Sequence, residues 1–304
     1  MEYVLKTIEL CKSFSGKMAV DRVSIGVKKG DIYGFIGENG AGKTTLMRMV
    51  SGLAAPTSGE IELFGSRDLV SQRRRMGTTI ENPALYPAMT AMQNMEAMRL
   101  LLGIESKSVC GELLELAGIG YTGRKKAGDF SLGMKQRLMI AMSLLGEPEF
   151  LVLDEPTNGL DPMGIKEVRD IIQRLNEERG ITILVSSHIL GELEKIATRY
   201  GVISDGKMVD EFRADELAMR CGKNLLLHAS DPKQARGIIE EMLPGANISL
   251  TPDNSLRVRG HVEDAGRINK TLVEAGIMVN ALIPEGEHLE DYFLRLMAGG
   301  KIHA

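Results

Sequence analysis

The 304-residue chain contains no Trp, only six Tyr and seven Phe, and three cysteines. Cys11, Cys110 and Cys221 lie about a hundred residues apart with no CxxC pair. That spacing suggests neither a disulfide framework nor a zinc knuckle, and it fits a reducing compartment. No segment approaches the roughly 18 uninterrupted apolar residues of a membrane span, and the opening MEYVLKTIEL is too charged for a secretion signal. The expectation is a soluble protein. Charge of one sign is also scarce: a formal net charge of −4 argues against a general nucleic-acid binder. Apolar content of 43% suits one large globular domain and a smaller one.

What is present is an alternation of strands and helices. DIYGFIG, FLVLDE and ITILVSSH are short apolar runs ending at loops, and stretches such as GIKEVRDIIQRLNEE between them carry helical spacing. This order predicts a largely parallel sheet. YVLKTIEL, VSIGVK and SGEIELFG predict a small antiparallel layer, and about 90–145 reads as helical without strands. In that region Met89, Met92, Met95 and Met98 recur three apart, which fits either a helix packing its own core or a pliable docking face. YGVISDGKMVDEF is a hairpin with Asp205-Gly206 at its turn, closing a first domain of residues 1–213. A linker over 214–223 follows. Residues 224–304 then read as strand, helix, strand, strand, helix, strand and a final helix at HLEDYFLRLM, a ferredoxin-like α+β order.

IGENGAGKTT matches G-x-x-x-x-G-K-[ST] through Gly37, Gly42, Lys43 and Thr44, between a strand and a helix as the motif requires. Its glycines let backbone N–H groups converge on phosphate oxygens. Glu38, Asn39, Gly40, Ala41 and Thr45 complete the loop, Lys43 is placed to reach the β and γ phosphates, and the Thr44 hydroxyl is a Mg²⁺ ligand candidate. FLVLDEP puts Asp154 and Glu155 at the end of an apolar strand. Beside a phosphate loop, these acids divide the work: Asp154 toward Mg²⁺, Glu155 as the base that polarises the attacking water.

These residues imply a nucleotide phosphohydrolase, and further stretches identify a resemblance to the ATP-binding cassette (ABC) family. FSLGMKQRL resembles that family's LSGGQ signature, keeping Ser131 and Gly133 while Leu132 and Met134 replace a glycine and the glutamine. NGLDP resembles its D-loop through Asp161, VSSHIL supplies a switch histidine as His188, and Phe14 stands where an aromatic residue stacks on adenine. These elements occur in family order. The resemblance implies a P-loop ABC ATPase fold, with a mostly parallel sheet, an antiparallel β layer and a helical subdomain. It also implies ATP and Mg²⁺ as cofactors and a head-to-tail dimer with itself or a paralogue, each ATP lying between one phosphate loop and the partner's signature.

Three details resemble the bacitracin and lantibiotic exporter branch: the SLGMKQRL signature, Glu81 in GTTIENPALYP where most relatives carry the Q-loop glutamine, and the C-terminal HLEDYFLRLM. That branch implies Glu81 as a further metal contact. It also implies a cytoplasmic ATPase, peripheral on the inner face of the membrane, docked on a separately encoded permease and expelling an antimicrobial peptide. Two other readings stay open: an exporter ATPase of the same layout moving a drug or lipid, and a soluble cassette protein acting on the ribosome or a nucleic-acid complex. The latter usually carries two cassettes and a charged linker, and neither is found here.

Overall fold

The computed structural model describes residues 2–80, 85–216, 224–285, 292, 293 and 296. Contacts divide the chain into two compact units, one built on Met1–Arg213 and the other on Ala214–Arg295.

The first unit is organised by a six-stranded sheet in the order Lys207–Arg213, Arg199–Ser204, Ile32–Ile36, Thr182–Ser187, Phe150–Leu153, Met76–Thr79. All neighbours are parallel except the first pair, the predicted hairpin. Its turn residues Asp205 and Gly206 have φ of 47° and 79°, the left-handed conformation that a type I′ turn demands. The interior strands read as near-continuous apolar runs because both faces are covered, and every residue of Ile32–Ile36, Phe150–Leu153 and Thr182–Ser187 is buried. The edge strand Met76–Thr79 is not legible in the sequence: MGTT lacks both alternation and an apolar run, and among the described residues it pairs only with Phe150–Leu153.

The helix Pro162–Arg179 shows how sequence sets local structure. Asp161 caps its start by accepting from Gly164 N–H at 3.2 Å, Pro162 occupies the first turn and Gly180 ends it with φ 65°. Val168, Ile171, Ile172 and Leu175 form the buried stripe at helical spacing. Each such side chain taken from water contributes roughly 1.5–3 kcal/mol.

The antiparallel layer contains the expected strands Tyr3–Phe14, Gly26–Lys28 and Ser58–Leu63, together with a further one, Lys17–Val23, that the sequence pattern does not announce. Between the strands Met76–Thr79 and Phe150–Leu153 of the six-stranded sheet come the helices Ala91–Leu101, Ser108–Leu116 and Leu132–Ser143. The four methionines do not form one face there. Met89 lies before the helix cap Thr90, and within the helix Met95 is fully buried, Met98 half-buried and Met92 exposed. A three-residue step advances about 300° around a helix, so successive steps drift off any single stripe.

The second unit has the ferredoxin-like arrangement expected from its order of elements. Its sheet runs Ile248–Leu250, Leu256–Arg259, Asn224–Ala229, Val279–Glu285, all antiparallel. The helices Pro232–Met242 and Ala265–Glu274 each bury an i, i+4 pair, Ala235 with Ile239 and Ile268 with Leu272, in a core shared with Leu225, Leu227 and Val258. Most of the linker and of HLEDYFLRLM lies outside the described residues, as does Cys221. Cys11 and Cys110 are free and buried, and burial pushes the Cys110 thiol up, so it stays protonated and unreactive. Among the described residues no helix is long and apolar enough to cross a membrane.

Candidate active site

The phosphate loop leaves the end of Ile32–Ile36, between the ends of the two strands that flank it in parallel. Gly37, Ala41, Gly42 and Lys43 are buried, Thr44 and Thr45 half-buried, and Glu38, Asn39 and Gly40 exposed. The helix Lys43–Ser51 starts at Gly42, φ 108°, with no side-chain cap and no acid in its first turn. Its first N–H groups and positive dipole end are therefore available to an anion. Nucleotide phosphates fit this cradle, because neither glycine tolerates a side chain. A Cβ on Gly37 would lie 2.4 Å from the Ile203 carbonyl oxygen, and one on Gly42 would lie 2.4 Å from that of Ala19. The hairpin turn also braces the loop, since Gly206 N–H donates to Ala41 O at 3.0 Å.

Gly42→Ala combines that clash with a disfavoured φ. It is expected to lower stability by about 1–3 kcal/mol. Thermal unfolding of the full chain checks this, and an unchanged midpoint would remove the close-approach argument.

Lys43 is 5% exposed. Its Nζ donates to Gly37 O at 2.6 Å and Glu38 O at 3.2 Å, and lies 3.1 Å from Glu155 Oε1. The last contact is one of charge rather than a directed hydrogen bond. Glu155 Oε2 is 2.6 Å from His188 Nδ1, so the ring donates to it in the Nδ1–H tautomer. Glu155 itself adopts φ 48°, a conformation that a non-glycine residue holds only where its surroundings impose it. One imposing group is Ser186 Oγ, which accepts from Glu155 N–H at 2.9 Å and donates to Asp154 Oδ1 at 2.7 Å. Lys43, Glu155 and His188 thus form one contiguous polar chain, and Asp154 joins it through Ser186.

The other predicted residues are placed separately. Phe14 is exposed at the end of Tyr3–Phe14, with Lys12 Nζ 5.0 Å from its ring centroid. Ser131 caps Leu132–Ser143 by accepting from Met134 N–H at 3.3 Å, and is exposed with Leu132. A Cβ on Gly133 would have Leu160 Cδ2 as its nearest neighbour, at 3.8 Å, so the helix start is open. Among the described residues, neither Ser131 nor Gly133 hydrogen-bonds to the phosphate loop. Asp161 serves its own chain as a helix cap. A cavity of about 730 Å³ separates the acids from the signature helix, lined by Asp154, Glu155, Asn158, Leu132, Lys135 and Gln136 among others. Glu81 lies outside the described residues. Ser186, two residues before His188 in VSSHIL, carries no motif that singles it out in the sequence.

The pattern of the ABC transporter family matches residues 20–158. The bacitracin transport ATP-binding protein BcrA of Bacillus licheniformis is 44% identical over 99% of this chain and 100% of its own length. The lantibiotic transport ATP-binding protein SrtF of Streptococcus pyogenes is 43% identical over 70% of this chain and 92% of its own. Among solved structures, the dimeric bacterial ABC transporter cassette MJ0796 superposes with a TM-score of 0.63 at 25% identity, covering 69% of this chain and 98% of that one.

Proposed function

The chain belongs to the ABC transporter family as an ATP-hydrolysing, ATP-binding subunit, and from that premise we propose that it powers a separately encoded permease expelling an antimicrobial peptide of the bacitracin or lantibiotic type. The observation that carries the substrate class is the match to a bacitracin transport subunit at 44% identity over 99% of this chain, since it includes the C-terminal unit as well as the ATPase unit. In this reading the transport path belongs to another polypeptide, and the chain works on the cytoplasmic face of the membrane.

Residues 1–213 are then the nucleotide-binding domain, 214–223 a linker and 224–304 an accessory domain. Phe14 stacks on adenine, and Gly37, Glu38, Asn39, Gly40, Ala41, Gly42, Lys43, Thr44 and Thr45 hold the phosphates. Thr44 and Asp154 offer hard oxygen donors to Mg²⁺ in the manner of a cation shared with substrate phosphates, with Glu81 as a third. When bound, Mg²⁺ supplies charge neutralisation at the transferring phosphoryl group. Water attacks the γ-phosphorus in line with the departing ADP oxygen, and Glu155 accepts its proton. His188 holds that carboxylate by the 2.6 Å contact.

Ser131 and Gly133 serve the opposite copy. Both lie at an open helix start, and Ser131 is exposed, so a partner's γ-phosphate can be reached there. Asp161, the D-loop residue of this reading, caps the helix Pro162–Arg179. ATP then bridges two chains, and its hydrolysis releases them.

Cells expressing this chain with its permease are expected to survive bacitracin or a lantibiotic at concentrations that stop the same cells carrying Glu155→Gln. Equal sensitivity of the two strains to both peptides, with ATP hydrolysis intact in the wild-type chain, would overturn the peptide assignment.

A further inference from the structure

Glu192 is a buried carboxylate to which the catalytic reading assigns no task. It lies in the short helical turn Leu190–Leu193 and is 8% exposed. A charge so placed needs donors. Among the described residues no cation lies within ion-pair range of it, and two hydroxyls take that part. Thr157 Oγ1 and Ser187 Oγ both donate to Glu192 Oε2, the second at 3.2 Å.

The two donors come from different segments. Thr157 stands two residues after Glu155, and Ser187 immediately precedes His188. Ser187 Oγ also accepts from Ile189 N–H at 2.9 Å, which fixes the hydroxyl in place. Its one proton has a second acceptor within reach, Ile189 O at 3.0 Å. A carboxylate outcompetes a neutral carbonyl for that proton, because charge-assisted hydrogen bonds are about twice as strong. A single carboxylate oxygen therefore ties the loop carrying the proposed base to the strand end carrying the histidine that touches it.

We infer that Glu192 is a positioning residue that sets the separation of Glu155 from His188 and through it the rate of ATP hydrolysis. The inference rests on the roles given above to those two residues. Both hydroxyls converge on one oxygen, so a glutamine carbonyl, with two lone pairs, can accept both. Without the charge, however, it loses its advantage over Ile189 O for the Ser187 proton and keeps chiefly the Thr157 half of the tie.

ATP turnover by the full chain tests this. Glu192→Ala is expected to lower kcat at least about tenfold with KM for ATP changed less than about twofold, the pattern of a lost transition-state interaction. Glu192→Gln, which can still accept from Thr157, should lose clearly less kcat than Glu192→Ala. Thr157→Val should lower kcat several-fold on its own and add nothing in the Glu192→Ala chain, since the two act through one contact. Wild-type kcat in Glu192→Ala, equal losses in the Ala and Gln variants, or additive effects with Thr157→Val would each overturn the inference. If Glu192→Ala does not fold, unchanged kcat in Thr157→Val overturns it instead. Glu155→Gln serves as the control. Rapid turnover in that variant removes the catalytic reading, whereas an inactive Glu155→Gln beside an unaffected Glu192→Ala removes only the positioning role.

Discussion

Lys43→Ala and Glu155→Gln are expected to abolish ATP turnover by different routes. Lys43 is the cation at the centre of the phosphate loop, buried and held against the Gly37 and Glu38 carbonyls. Removing it takes away the cation proposed to reach the β and γ phosphates, where charge-assisted hydrogen bonds would be worth roughly 1.5–3 kcal/mol, and leaves the partly buried Glu155 without its positive neighbour. ATP affinity should therefore fall at least about tenfold. Glu155→Gln keeps the shape of the side chain beside His188 but cannot take a proton from water. Its kcat should fall by about 10²–10⁴ while ATP binding is retained. Calorimetric titration with ATP and Mg²⁺, paired with phosphate release, separates the two. Rapid turnover by Glu155→Gln would take Glu155 out of the base role, and unaltered ATP affinity in Lys43→Ala would take Lys43 out of phosphate binding.

The second large effect is complementation between two inactive chains. Ser131 is exposed at the start of its helix and makes no hydrogen bond to its own phosphate loop among the described residues. Arginine there adds bulk and charge where a partner's γ-phosphate would meet the helix N-terminus, so Ser131→Arg alone should be inactive. Lys43→Ala alone should be inactive as well. In a mixed dimer, the Ser131→Arg chain contributes a sound phosphate loop and the Lys43→Ala chain a sound signature. One complete site results. Hydrolysis should reappear on mixing, a gain that independent effects within one chain cannot produce. Heterodimers that form and remain inactive would contradict the shared site.

The parts of this site that are legible in the sequence are those whose chemistry restricts residue type. Only glycine fits at positions 37 and 42, where backbone oxygens of Ile203 and Ala19 stand 2.4 Å from a would-be Cβ, and this is why the loop motif is readable. The apolar strand ending in Asp154 and Glu155 is readable because both of its faces are buried. Partners assembled from distant segments are not. Ser186 joins Asp154 to the Glu155 backbone, and Glu192 joins Thr157 to Ser187, yet serines, threonines and single glutamates carry no spacing signal of their own. The strand Met76–Thr79 escapes notice because its position depends on pairing with Phe150–Leu153 rather than on its own pattern. The methionine series leaves a core role and a docking face open in the sequence, and the helix buries Met95 fully while Met92 is exposed.

Whether ATP is held between two copies of this chain is tested most directly by light scattering of purified Glu155→Gln, because slow hydrolysis preserves the ATP-bound form. With ATP and Mg²⁺ the variant should scatter at twice the monomer mass with two nucleotides per particle, and return to monomer mass with ADP. A variant that binds ATP fully and stays at monomer mass would contradict the shared site on which this account of the chain depends.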